Sequence, residues 1–168
     1  MLFLLFRIMH IVTGVFWAGS VFFMVSFLLP AFGQVGPGAG PVQAELARRK
    51  LFQKLPAIGI VTILSGFYMY YLRMRGTAGW APTMEARVLG TGGLLAVVAI
   101  IIGATFARPN QDRVAALMAE AGPMPAGPEK DAKFAQAGIH RKKVVMAARI
   151  VATLLGVTVI AMASARYL

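Results

Sequence analysis

The sequence predicts an all-α integral membrane protein, a four-helix bundle within a single membrane domain spanning residues 1–168, and three observations point there. Of its 168 residues, 58% are apolar and only 14% charged, with a mean hydropathy of +0.72. A soluble domain carries about 25% charged residues, so this chain has too little polar surface to cover a globule in water. Four apolar runs, at about 2–29, 51–72, 86–107 and 143–165, each approach or exceed the roughly 20 residues that cross about 30 Å of hydrocarbon. Strand-like alternation is absent, and no repeat of solenoid period is visible. The lipid bilayer is therefore the first expected partner.

The first run starts next to Met1 without a basic region before it, and continues well past the length of a signal core, so it reads as a retained helix. The stretch Gly33 to Pro41 holds four glycines and two prolines. Glycine disfavours a helix interior by about 1 kcal/mol and proline by about 3, which predicts that the first span ends near Pro30 and that a flexible tether follows. Residues 43–54 regain a helix-competent pattern and lead into the second span at Pro56. In the loop after the third span, residues 112–120 suit a short helix, Gly122 to Pro128 breaks it, and 129–140 form a polar helical extension of the fourth span.

Seventeen bases against six acids give a net charge of +11. In a soluble chain that would suggest nucleic acid, but here the bases lie between or at the ends of apolar runs, and no nucleic-acid partner is expected. The loops 30–50 and 108–142, with Lys54 and Lys143 just beyond them, hold eleven bases. The opposite side holds five (Arg7, Arg73, Arg75, Arg87 and Arg166), and Arg149 lies within the fourth span. The bias predicts cytoplasmic loops and both termini on the non-cytoplasmic side, for a bacterium a multi-pass protein of the inner membrane with periplasmic termini. The basic loops anchor to anionic lipid or dock a protein partner.

Zero cysteines exclude disulfides, thiolate metal sites and iron–sulfur clusters. No acid falls inside a span, which removes carboxylate proton relays and di-metal bundles. Pairs such as Gly92 with Ala96, Ala99 with Gly103, and Gly14 with Ala18 allow close helix approach and are read as packing within the bundle, with a homo-oligomer as the alternative. The hydroxyls of Thr62, Ser65, Thr153 and Thr158 suit bonding to their own helix backbones.

The remaining chemistry centres on His10, about 13 Å below the outer end of the first span by helix rise. An ionisable side chain at that depth is a functional candidate. Gly14 and Trp17 share its face, forming a stripe of imidazole, gap and indole. Either the imidazole is a neutral core residue bonded to a neighbouring hydroxyl or carbonyl, or it ligates haem or a metal ion. Equal-depth counting places Ser65 and Gly66, Gly92 and Gly93, and Val157 and Thr158 near its level, small walls that a planar ligand needs. His140 precedes the basic triplet Arg141-Lys142-Lys143, about 25–30 Å along the membrane normal, and cannot share an iron with His10. A second ligand would come from Met69 or Met162 in the outer half. Arg149 snorkels to the inner face or holds a propionate or phosphate.

The first span, with Met9-His10-Ile11-Val12, then Trp17-Ala18-Gly19, closed by Leu29-Pro30, resembles the H-I-x5-W-x-G opening of the CopD-like and HemJ-like membrane proteins. The likeness extends coarsely along the chain through Arg48-Arg49, Leu55-Pro56 and Ser65-Gly66. HemJ-like proteins are associated with protoporphyrinogen oxidation and haem binding, CopD-like proteins with copper handling, and both keep a histidine in the first span. The resemblance implies His10 as the ligand of a haem b or porphyrin iron, or of copper. The basic residue of the third span in HemJ-like members has only Arg87 to correspond to it, and the histidine- and methionine-rich outer loops of copper importers are missing. The expected function is a membrane-embedded haem- or porphyrin-binding protein, redox-active or not. The alternatives are an accessory or assembly subunit of a larger membrane complex, and a copper-handling protein.

Overall fold

Five helices account for nearly the whole chain in the computed structural model, which describes residues 1–168 apart from the side chain of Pro37. Helix α1 (Leu2–Val35), α3 (Leu51–Gly76), α4 (Met84–Ala121) and α5 (Pro128–Ser164) are long and apolar enough to cross a membrane, and α2 (Gly40–Arg48) is a short helix between α1 and α3. No strand occurs among the described residues. The four long helices form an up-and-down bundle in which α1 pairs with α3 and α4 with α5, and the two hairpins meet along α3–α4 and α1–α5. Both termini and the turn at 77–83 lie at one end, the terminal end. Helix α2 and the breaker at 122–127 lie at the other, the linker end.

Two expected helix ends are corrected. Helix α1 does not stop at Pro30, and no tether follows it: the helix runs to Val35, where Gly36 at φ +62° turns the chain. A single 3-10 turn, Gly36–Ala39, then leads directly into α2. Helix α4 likewise passes Pro109 and absorbs the segment expected as a separate short helix. The physical reason is the same in both. A π-turn (Met24–Leu28, Gly103–Ala107) precedes each proline, with Leu29 N–H bonded to Met24 O and Arg108 N–H to Gly103 O. The wider turn shifts the hydrogen-bond ladder where proline has no N–H to give, so each ring sits in the opening turn of a resumed helix.

This shared device exposes a repeat that sequence reading missed. Ser26-Phe27-Leu28-Leu29-Pro30 matches Thr105-Phe106-Ala107-Arg108-Pro109 at a spacing of 79 residues. Past the linkers, Arg48-Arg49-Lys50 matches Arg141-Lys142-Lys143, and Met69 and Arg73 match Met162 and Arg166, at a spacing of 93. The spacing changes because the second linker is longer. The chain is a tandem pair of helical hairpins running in the same direction.

Glycines set the seam between α1 and α3. A Cβ on Gly66 would stand 2.8 Å from His10 Cε1, one on Gly59 2.8 Å from Trp17 Cε2, and one on Gly14 3.3 Å from Thr62 Cγ2. His10–Gly66, Gly14–Thr62 and Trp17–Gly59 thus pair in one antiparallel register. Between α4 and α5, Gly92 meets Ala161 and Met162, and Thr158 Oγ1 donates to Gly92 O at 3.2 Å. The central core joins Trp17, Val21, Ala96, Ala99, Val151 and Leu155. Leu4, Leu64, Leu94 and Ile160 face outward with more than half their surface open, an arrangement that only hydrocarbon solvates without penalty.

Candidate functional site at the terminal end

Around His10 the four long helices line a half-open cavity of about 770 Å³, within the range of pockets that hold cofactor-sized ligands. Its walls come from both repeats at matching positions: His10 and Leu89, Gly14 and Gly93, Trp17 and Ala96 from α1 and α4, and Gly66 and Val159, Met69 and Met162, Arg73 and Arg166 from α3 and α5. Equivalent residues lining one space is what a two-fold relation along the bundle axis requires.

His10 is held by the helix it packs on. Its Nδ1 lies 2.7 Å from the Thr62 carbonyl, 3.4 Å from Ser65 Oγ, and its ring covers Gly66. A carbonyl only accepts, so Nδ1 carries the proton and donates it, which leaves the Nε2 lone pair free. The Thr62 carbonyl is open to His10 although it lies in a helix, and Ser65 Oγ donates to Val61 O at 2.7 Å. Nε2 makes no hydrogen bond among the described residues, and no buried side-chain nitrogen among them lacks a partner, so Nε2 opens onto the cavity. A ring nitrogen pinned on a backbone carbonyl with its other nitrogen free is the usual posture of a ligating histidine.

At the terminal end the cavity is rimmed by Arg7, Arg73 and Arg166. The turn between α3 and α4 folds over it. Trp80, 5% exposed, packs edge-on against Tyr70 with ring centroids 5.0 Å apart, and Arg73 lies 5.6 Å over its ring. Glu85 accepts from Trp80 Nε1 at 2.8 Å and pairs with Arg73 at 3.1 Å, while Thr83 caps α4 by accepting from Ala86 N–H at 3.2 Å. Sequence reasoning missed this rim. The available signal was that Glu85 is the single acid of the terminal end and lies five residues after a tryptophan in a short turn.

Of the candidate residues, His10, Gly14, Trp17, Gly66 and Gly93 line this cavity together, with both Met69 and Met162. Four candidates do not join them: Ser65 is buried and bonded to the backbone of its own helix, Val157 faces outward, and Gly92 and Arg149 lie elsewhere. Gly92 faces Ala161 and Met162, and serves the α4–α5 seam. Arg149 is exposed and lines neither this cavity nor the smaller one below it, because its position on α5 faces away from the bundle axis. His140 is also remote, with Nδ1 2.8 Å from Asn110 Oδ1 at the linker end. Among the described residues no group of three or more His, Cys, Asp or Glu is placed to hold a metal ion. A metal at this site would therefore be ligated by His10 with methionine sulfurs, or by a macrocycle.

No family model matches this chain, and no curated protein or solved structure matches it either.

Proposed function

We propose that the terminal-end cavity binds a porphyrin, with His10 Nε2 as the protein ligand to its iron. One observation carries this reading: the one imidazole that lines the cavity of about 770 Å³ has Nδ1 fixed on the Thr62 carbonyl and Nε2 open to that space. Gly14 and Gly66 let α1 close on α3 and seat the His10 ring there, and Gly93 leaves room on the facing helix for a planar ligand. Arg7, Arg73 and Arg166 supply charge-assisted donors for acidic substituents at the rim. Iron, when bound there, supplies one-electron chemistry, while the chain contributes orientation, an apolar setting and exclusion of water.

The protein's place in this reading is a bacterial inner membrane, with the basic linker end on the cytoplasmic side. Titration of hemin into the purified protein tests the assignment. A Soret band that saturates at one hemin per chain, and that is lost or displaced in His10→Ala but kept in His140→Ala, is the expected result. Equal behaviour of the two variants overturns it. A second reading, a copper site, draws on Met69 and Met162, whose thioethers suit Cu(I). Stoichiometric copper uptake without any Soret band would favour it.

A further inference from the structure

Below Trp17 lies a second cavity of about 280 Å³, and Trp17 is the one residue that lines both. Its position coincides with the backbone irregularities of the bundle. Met24 and Val25 come from the first π-turn, Gly103, Ala104 and Ala107 from the second, and Pro56 from inside α3. Lys50, at φ +59°, is the one non-glycine residue with positive φ among the described residues, and it lines the same space. π-turns and left-handed non-glycine residues recur at functional sites, where the surrounding structure holds them in place. Here irregularities of α1, α3 and α4, and the left-handed turn between α2 and α3, converge on one cleft.

The chemistry of the lining is split. Apolar side chains of Met24, Phe52, Leu55, Ile100 and Val151 form its body. Lys50, Gln53, Arg108, Gln111 and Asp112 stand toward the linker end. The lining holds two cations and one carboxylate, Asp112, and among the described residues neither Lys50 nor Arg108 takes part in an ion pair. An apolar slot that ends in unpaired cations at the linker edge of a membrane bundle complements an amphiphile with an anionic head.

We propose that this cleft seats one anionic phospholipid, its phosphodiester between Lys50 and Arg108 and the start of an acyl chain in the apolar slot beneath Trp17. Gln53 and Gln111 supply further hydrogen-bond donors to the head. Residues of both π-turns line the slot, so lipid occupancy stiffens the linker end.

Native mass spectrometry of the full chain, released from mixed phosphatidylglycerol and phosphatidylcholine, tests this. The wild type is expected to retain one phosphatidylglycerol in preference to phosphatidylcholine. Lys50→Gly, which suits the left-handed backbone, combined with Arg108→Gln, should weaken retention roughly thirtyfold, since each juxtamembrane cation is worth about fivefold. Ala104→Trp keeps every charge and fills the slot, and is expected to lose the lipid as well. Ala104 is exposed to the slot, so the fold should tolerate the indole, and helical circular dichroism and monodisperse elution verify that. Retention by Ala104→Trp at the wild-type level would mean generic attraction to a basic surface and would overturn the proposal. Displacement of the lipid by millimolar inorganic phosphate would also overturn it, by showing a headgroup site that needs no acyl chain.

Discussion

The two hairpins share their mechanics and differ in their chemistry. Each has a long helix with a π-turn before proline, a basic triplet just before the apolar part of its second helix, and a methionine and an arginine at matching places on the cavity wall. The positions that depart most from this sameness line the central cavity from the diagonal helices α1 and α4: Leu89 stands where His10 would repeat, and Ala96 where Trp17 would. Retained features are those that build a bundle with a central space. The divergent pair puts the one imidazole on one side of that space and leaves an aliphatic wall on the other. One half therefore carries the imidazole and the other supplies the apolar wall facing it.

The largest expected effect breaks that asymmetry. His10→Ala should abolish hemin binding, Leu89→Ala should leave it in place, and the exchange His10→Ala with Leu89→His should restore a Soret band from the opposite wall. Optical titration of the three variants reads it directly.

Next in size is the contrast between the seams. Gly66→Ala places a Cβ 2.8 Å from the His10 ring, an overpacking that typically destabilises by about 1–3 kcal/mol and here also tilts the imidazole off the Thr62 carbonyl. In the second hairpin Gly156→Ala meets nothing closer than 3.9 Å, and should be neutral or stabilising by up to about 1 kcal/mol. Thermal unfolding in detergent distinguishes them, and similar shifts in both would contradict the close α1–α3 seam.

Orientation is common to both hairpins, so labelling of cysteines introduced at Gly36 and Ala126 should give the same answer. Protection of both from an impermeant reagent on the periplasmic side is expected. Labelling of either from that side contradicts the cytoplasmic assignment of the linkers.

The smallest effect compares the linkers themselves. Hydrogen bonds from Arg48 and then Arg49 hold the Glu45 carboxyl below its ordinary value of 4.5, and Lys133 does the same for Glu120. A lowered folded-state pKa gives a contribution that is present above about 4.5 and lost as pH falls through the lowered value. Both groups are exposed, so screening keeps that contribution small. Glu45→Gln and Glu120→Gln should each flatten the acid limb of a stability-versus-pH curve slightly and to a similar degree.

Much of this was legible in the sequence. Helical period put His10, Gly14 and Trp17 on one face, and depth counting found Gly66 and Gly93 across from them, because straight helices preserve rise and phase. Pro30 and Pro109 misled because local propensity assigns proline a stop, while a preceding π-turn converts it into a restart. Gly92 was right in depth but wrong in azimuth, a coordinate that counting rise does not supply. Arg149 failed for the same reason. The repeat was hidden because linkers of unequal length change the spacing from 79 to 93 residues, and because His10 and Trp17, the most conspicuous residues of the first helix, are those the second lacks. The rim of Arg7, Arg73 and Arg166 arises only when three helix ends meet, so no single segment announced it.

The central claim is that a single imidazole, His10, faces the space between the hairpins and binds iron there. Pulsed electron paramagnetic resonance of the hemin-loaded, ¹⁵N-histidine-labelled protein measures this most directly. One strongly coupled histidine nitrogen in the wild type and in His140→Ala, and none in His10→Ala, is the result expected. Persistence of the coupling in His10→Ala, or its loss in His140→Ala, would contradict the account.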